Sequence, residues 1–200
     1  MKVAVLGAGA MGTGIGQIAA QNGCDVVYYD SFPGATDRSK ASIEKIFGRL
    51  VEKSKITSDQ KEEMLGRMQW SADLEAVTGA DLVVEAVIED LDVKKALFAQ
   101  VEPLLLSDAW LCTNTSSLSI AALSSGLKHP ERFGGLHFFN PAPLMPLVEI
   151  VPGVKTGEEF SEAMEVLMEA QLPLQDGATA PRNAPGLTEP EANARAVKSL

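Results

Sequence analysis

The sequence predicts a doubly wound α/β domain: a mostly parallel sheet with helices on both faces, an inserted helical excursion and a final antiparallel strand. Three observations predict it. The runs "KVAVLGAG", "DVVYYD", "DLVVEAV", "AWLCTN" and "FGGLHF" are short, β-rich and almost continuously apolar, as strands buried on both faces require. Between them lie stretches with helical period, such as Met11 to Asn22 and Leu91 to Leu105, so strand and helix alternate as in successive crossovers. The chain has 200 residues, enough for one sizeable core, and no apolar run approaches the length that spans a bilayer.

Taken in order, the first strand ends in a glycine-rich turn that opens a helix, and the second ends at Asp30. Over residues 33–53, Ile43, Ile46, Phe47, Leu50 and Val51 form one apolar stripe, which makes this long connection the helical excursion. A short helix from about Ser58 to Leu65 follows, with Thr57 or Ser58 as its cap, and similar capping logic recurs at residues 72–77. After His137 the Pro-rich "NPAPLMP" leads straight into "LVEIVP", too soon for a crossover helix, so these two strands are expected to be antiparallel. That pairing sets Glu149 across from His137, symmetrically about Pro143. "TGEEFSEAMEVLMEAQL" reads as an amphipathic helix burying Phe160, Met164, Leu167 and Met168. Residues 171–200 hold four prolines, six alanines and no aromatic residue. They are expected to form a loosely ordered tail behind a domain of residues 1–170.

Net charge is −10, which argues against nucleic acid or an anionic membrane surface as a partner. Cys24 and Cys112 are far apart and lack metal-ligand spacing, so no metal site is expected and the thiols read as free, half-buried groups in a reducing compartment. "MKVAVLGAG" enters a strand at once and leaves no room for a signal peptide, so a cytoplasmic location is expected.

The chemistry-bearing residues collect at predicted strand ends. "GAGAMG" (Gly7, Gly9, Ala10, Met11, Gly12) follows a strand and opens a helix. Its glycines permit a tight turn, close approach of a pyrophosphate, and helix-to-strand packing, with the phosphate at the helix N-terminus. Asp30 stands at the spacing of a ribose-binding acid, and the absence of a following Arg favours NAD over NADP. The fold is therefore Rossmann-type and the expected cofactor NAD.

Other signals admit two readings. Asp90 and Lys94 are four apart and suit a surface ion pair. In "TNTSSLS" the hydroxyls either cap the next helix or touch a substrate. Residues 38–55 carry six basic groups, Arg38, Lys40, Lys45, Arg49, Lys53 and Lys55, which form a solvated helix face or a contact for an anionic, phosphate-bearing substrate. His137 is a core aromatic or, at the ligand-bearing edge of the sheet with a carboxylate behind it, a general base.

In order and spacing, "GAGAMGTGI", "LVVEAVIEDLDVKKALF", "TNTSSLSI" and "GLHFFNPAPLMPLVEIV" resemble the NAD-binding domain of the L-3-hydroxyacyl-CoA dehydrogenases, over residues 1 to about 170. The resemblance implies reversible, NAD-dependent oxidation of an (S)-3-hydroxyacyl-CoA to the 3-oxoacyl-CoA, as in fatty acid β-oxidation. It implies His137 as catalytic base, Glu149 as its acidic partner and Ser116 as the hydroxyl contacting substrate. Glu89, Lys94, Ser116 and Asn140 would line the nicotinamide half of the cofactor, Asp30 would hold a ribose, and Lys53 would contact coenzyme A. Family members continue through a "GF" turn carrying an active-site Asn to a helical, dimer-forming domain. Here Gly186 is followed by Leu-Thr-Glu and Pro190 stands where that Asn belongs, so the helical domain, and with it the family's homo-oligomer contact, is expected to be missing. Two other readings stand beside the dehydrogenase: a non-catalytic NAD-binding remnant or interaction module, and a dehydrogenase of small free 3-hydroxyacids.

Overall fold

The computed structural model describes residues 1–171 and 197–199. An eight-stranded sheet forms its centre, in the spatial order β3-β2-β1-β4-β5-β6-β7-β8. Strand β1 (Lys2–Leu6) leads through helix α1 (Ala10–Gln21) to β2 (Asp25–Tyr29), and the excursion forms helices α2 (Ala35–Glu52) and α3 (Ser58–Gly66) before β3 (Met68–Ser71). Then follow β4 (Leu82–Glu85), α4 (Leu91–Val101), β5 (Trp110–Thr113), the short α5 (Ile120–Leu123) and β6 (Phe133–Phe138). Strand β7 (Leu147–Pro152), helix α6 (Glu158–Gln171) and β8 (Val197–Ser199) complete the described chain.

Strands β1 to β6 are mutually parallel, and β7 is antiparallel to β6, as expected. Strand β8 adds a second antiparallel pairing along β7. Residues 172–196 and residue 200 lie outside the described residues, and with them most of the expected tail, including Gly186 and Pro190.

Alternation along β1 shows how one sheet serves two cores. Val3 and Val5 face a cluster with Ile15, Phe47, Phe160 and Met164, beneath α1, α2 and α6. Ala4 and Leu6 face the other cluster, with Val83, Phe98, Val101 and Phe133, beneath α4 and α5. Period-two side-chain direction makes this division, and it is why the strands read as continuous apolar runs.

The excursion folds as expected: Ile43 and Phe47 are fully buried, with Ile46 and Leu50 packed beside them. Thr57 caps α3 in a reciprocal capping box with Gln60.

One element was not foreseen and two expectations need correction. Strand β3 was not anticipated; "MQWS" has four residues, two of them polar, and lies on the sheet edge, so it lacks the apolar continuity of the central strands. The helix expected to run from Leu91 to Leu105 ends at Val101 and tightens into a 3₁₀ turn over Glu102–Leu104, where Pro103 cannot donate to the helical ladder. Cys24 and Cys112 form no disulfide, and both are buried rather than half-buried.

Candidate dinucleotide and proton-transfer site

The register lines up the C-terminal ends of the parallel strands. Leu6 stands beside Tyr29 on one side and Glu85 on the other, Glu85 pairs with Thr113, and Thr113 pairs with Gly135. The chain order reverses between β1 and β4, where an open α/β sheet leaves its ligand crevice. Gly7, Asp30, Glu89, Ser116 and Asn140 follow strand ends on this one edge, and His137 is the penultimate residue of β6.

On the β2 side the site is made mainly of backbone. Gly7 holds φ +103°, a conformation costly for other residues, and turns the chain out of β1. A Cβ on Gly12 would overlap the Gly7 carbonyl oxygen, so α1 reaches β1 only because that position is glycine; a Cβ on Gly9 would meet nothing within 4 Å. Helix α1 starts at Ala10 without a side-chain cap or an acidic residue in its first turn. Its first N–H groups are therefore free to bind an anion. Both oxygens of Asp30 accept from backbone, Oδ2 from the Ala8 N–H and Oδ1 from the Phe32 N–H, each at 2.8 Å. The carboxylate ties the end of β2 to the glycine turn and keeps lone pairs for a diol. An open loop at Gly9, an uncapped helix end and an acid at the next strand end fit a dinucleotide.

On the β4 side the site is made of side chains. Glu85 and Lys94 are 0% and 1% exposed and form an ion pair at 2.6 Å. Glu85 also accepts from the Thr113 hydroxyl at 2.6 Å and the Val87 N–H at 2.7 Å. Lys94 reaches on to Glu89 at 3.3 Å. Glu89 Oε1 accepts from the Thr115 hydroxyl, the Ser116 and Ser117 N–H groups and the Ser117 hydroxyl. Burial raises the Glu89 carboxyl, but the Thr115 hydrogen bond, the Lys94 charge and the Ser116 N–H outweigh it and hold the group at about 2.

The proposed Asp90–Lys94 surface pair is therefore replaced. Asp90 caps α4 by accepting from the Val93 N–H, while Lys94 turns inward to the two glutamates. In the "TNTSSLS" segment, Ser119 caps α5, and the Thr115 hydroxyl accepts from the Leu118 N–H in the loop before it. Ser116 is exposed, and no partner is found for its hydroxyl among the described residues.

His137 and Glu149 are direct partners across the β6–β7 ladder. His137 Nδ1 lies 2.8 Å from Glu149 Oε2, and the imidazole, 18% exposed, packs against the Phe139 ring. No partner is found for Nε2 among the described residues. Asn114 Oδ1 accepts from the Phe138 N–H at 2.8 Å, tying the end of β6 to that of β5.

Asn140 begins a loop that closes a cleft of about 540 Å³ against α1 and α2, lined by Gly9, Gly14, Arg38, Ser42, Ile46 and Pro143 among others. Lys53 is exposed at the C-cap of α2, on the helix face that continues from Ser42, Ile46 and Arg49.

The family model described as 3-hydroxyacyl-CoA dehydrogenase, NAD binding domain, matches residues 2–172. The chain belongs to this family. Its cofactor is accordingly NAD. A protein from Deinococcus radiodurans named probable 3-hydroxybutyryl-CoA dehydrogenase is 43% identical over 180 residues, covering 88% of this chain and 64% of that protein. The 3-hydroxyadipyl-CoA dehydrogenase of Escherichia coli K12 is 45% identical over 162 residues, which make up 81% of this chain and 34% of the relative. The crystal structure of 3-hydroxybutyryl-CoA dehydrogenase from E. coli superposes with a TM-score of 0.83 at 43% identity, over 86% of this chain and 36% of that one. The chain thus spans between about a third and two thirds of the length of these relatives.

Sequence reasoning missed the parts of the site whose deciding partners lie on other elements of the fold. Glu85 and Thr113 belong to this group, as does Asn114 in its role as a tie between strand ends. A carboxylate inside the apolar run "VVEAV" was the available signal, since an acid in a strand buried on both faces must find partners.

Proposed function

We propose that this domain serves a 3-hydroxyacyl-CoA dehydrogenase, the reversible oxidation of an (S)-3-hydroxyacyl-CoA to the 3-oxoacyl-CoA, as in fatty acid β-oxidation. The observation that carries the reading is the His137–Glu149 pair at 2.8 Å on the ligand-bearing edge of the sheet. Bound NAD would supply the acceptor for the hydride leaving C3 of the substrate.

The chain's own groups account for the rest. With Nδ1–H donating to Glu149, Nε2 of His137 keeps its lone pair and takes the proton of the C3 hydroxyl. Glu149 holds the ring in that tautomer and stabilises the imidazolium that forms. The Ser116 hydroxyl, on the loop whose backbone Glu89 gathers, would orient the substrate oxygen. Gly7, Gly9, Ala10, Met11 and Gly12 would receive the pyrophosphate and Asp30 one ribose, while Glu89, Ser116 and Asn140 flank the other half. Lys94 would act on that half from beneath, through Glu89. Lys53, with the exposed basic groups of α2, would meet the coenzyme A end of the thioester.

A cytoplasmic location is part of the proposal and is supported by two buried cysteines that form no disulfide, as suits a reducing compartment. Among the described residues no helix is long and apolar enough to cross a membrane. NADH oxidation with acetoacetyl-CoA as substrate tests the reading. Turnover that survives unchanged in His137→Ala would overturn it, and cofactor binding without any turnover would leave a binding module.

A further inference from the structure

Three carboxylates and one ammonium lie at or beneath the β4-to-β7 end of this sheet edge: Glu85, Glu89 and Glu149, with Lys94. Glu85 and Lys94 are nearly inaccessible to solvent, so salt does little to screen them. Glu85 touches nothing that a ligand on this edge would touch; it meets Lys94, the Thr113 hydroxyl and the Val87 N–H. Lys94 in turn meets Glu89, whose other oxygen gathers the Ser116 and Ser117 backbone. Three anions against one cation leave this side with an excess of two negative charges while the His137 ring is neutral.

A dinucleotide that sets its pyrophosphate at α1 and one ribose at Asp30 must place its other half on this side of the switch point. That half carries a positive ring when the nicotinamide is oxidised and a neutral ring when it is reduced. We propose that Glu85 is a positioning residue of the cofactor site: through Lys94 it fixes Glu89 against the Ser116–Ser117 backbone, and the resulting surplus of negative charge makes the site select the oxidised over the reduced cofactor.

The proposal rests on the cofactor reading above and adds a preference between redox forms. Without Glu85, Lys94 would neutralise Glu89 and the surplus would fall by one charge. A residue that merely kept the fold together would weaken both forms alike; a charge effect changes their ratio. The α4 first turn carries Asp92 rather than a cation.

The test is the pair of dissociation constants for NAD and NADH, measured on the full chain by calorimetry and by NADH fluorescence. In Glu85→Gln, and in Glu89→Gln, whose side chain is partly exposed, the NAD-to-NADH affinity ratio should fall roughly fivefold. Thr113→Val removes a hydrogen bond to Glu85 without changing charge, and its ratio should stay at the wild-type value. Wild-type protein binding neither form would overturn the cofactor reading and this proposal together. Binding of both forms with a ratio unmoved by Glu89→Gln and Glu85→Gln would overturn this proposal alone.

Discussion

The two halves of the crevice are built from different materials. From β1 to β2 the site is backbone: a turn at Gly7, an open approach at Gly9, a helix N-terminus without a cap, and Asp30 tying them together. From β4 to β7 it is side chain on side chain: Glu85 to Lys94 to Glu89 to the Ser116 loop, then His137 to Glu149. Backbone sites bind because the chain cannot place those N–H groups elsewhere, so they depend on the absence of side chains. Side-chain sites hold charge and protons at chosen atoms, so they depend on which residue is present. The first half is suited to holding a cofactor and the second to chemistry.

Substitutions can break that comparison at several levels. The largest effect is expected on the side-chain half, where His137→Gln should lower kcat by ~10²–10⁴-fold with NAD affinity retained, read from paired turnover and calorimetry. On the backbone half, Gly12→Ala would drive a methyl group into the Gly7 carbonyl oxygen and should destabilise the fold by about 3 kcal/mol, seen in urea denaturation. Gly9→Ala sharpens the contrast, because its Cβ meets only open space. Stability should change by less than about 1 kcal/mol, while NAD affinity falls roughly tenfold as the methyl group occupies the phosphate approach.

The smallest expected effect is in pH dependence. Glu89 is held at about 2 in the folded chain, below an ordinary glutamate near ~4.3. A depressed carboxyl stabilises the fold at pH above the unfolded value, and that contribution is lost as pH falls toward the folded value. The Ser116 and Ser117 amides should therefore lose protection, relative to the intrinsic exchange rate at each pH, between about pH 4 and pH 2, measured by hydrogen exchange. Glu89→Gln should remove that pH step.

The same division governs what the sequence made legible. Gly7, Gly9, Gly12 and Asp30 are set by local spacing, because a strand–turn–helix unit fixes where its own backbone points. The His137–Glu149 pair was also legible, since an antiparallel return about Pro143 fixes which residues face each other, and the ladder has that register. Lys94 was not. Its spacing from Asp90 suggested a surface pair, but its inward partner, Glu85, lies on another element, and nothing local to α4 reveals it. Strand β3 was missed for a related reason: its place depends on pairing with β2 at the sheet edge rather than on its own apolar content.

Both halves should answer to one ligand, and an amide-resolved NMR titration of the full chain with NAD tests that most directly. The N–H signals of Gly7, Gly9 and Gly12 and those of Ser116 and Ser117 should shift together, with a single dissociation constant, as expected of one dinucleotide bridging the switch point between β1 and β4. Shifts confined to the glycine turn, or two sets titrating with different constants, would contradict a single crevice shared by the backbone-built and side-chain-built halves.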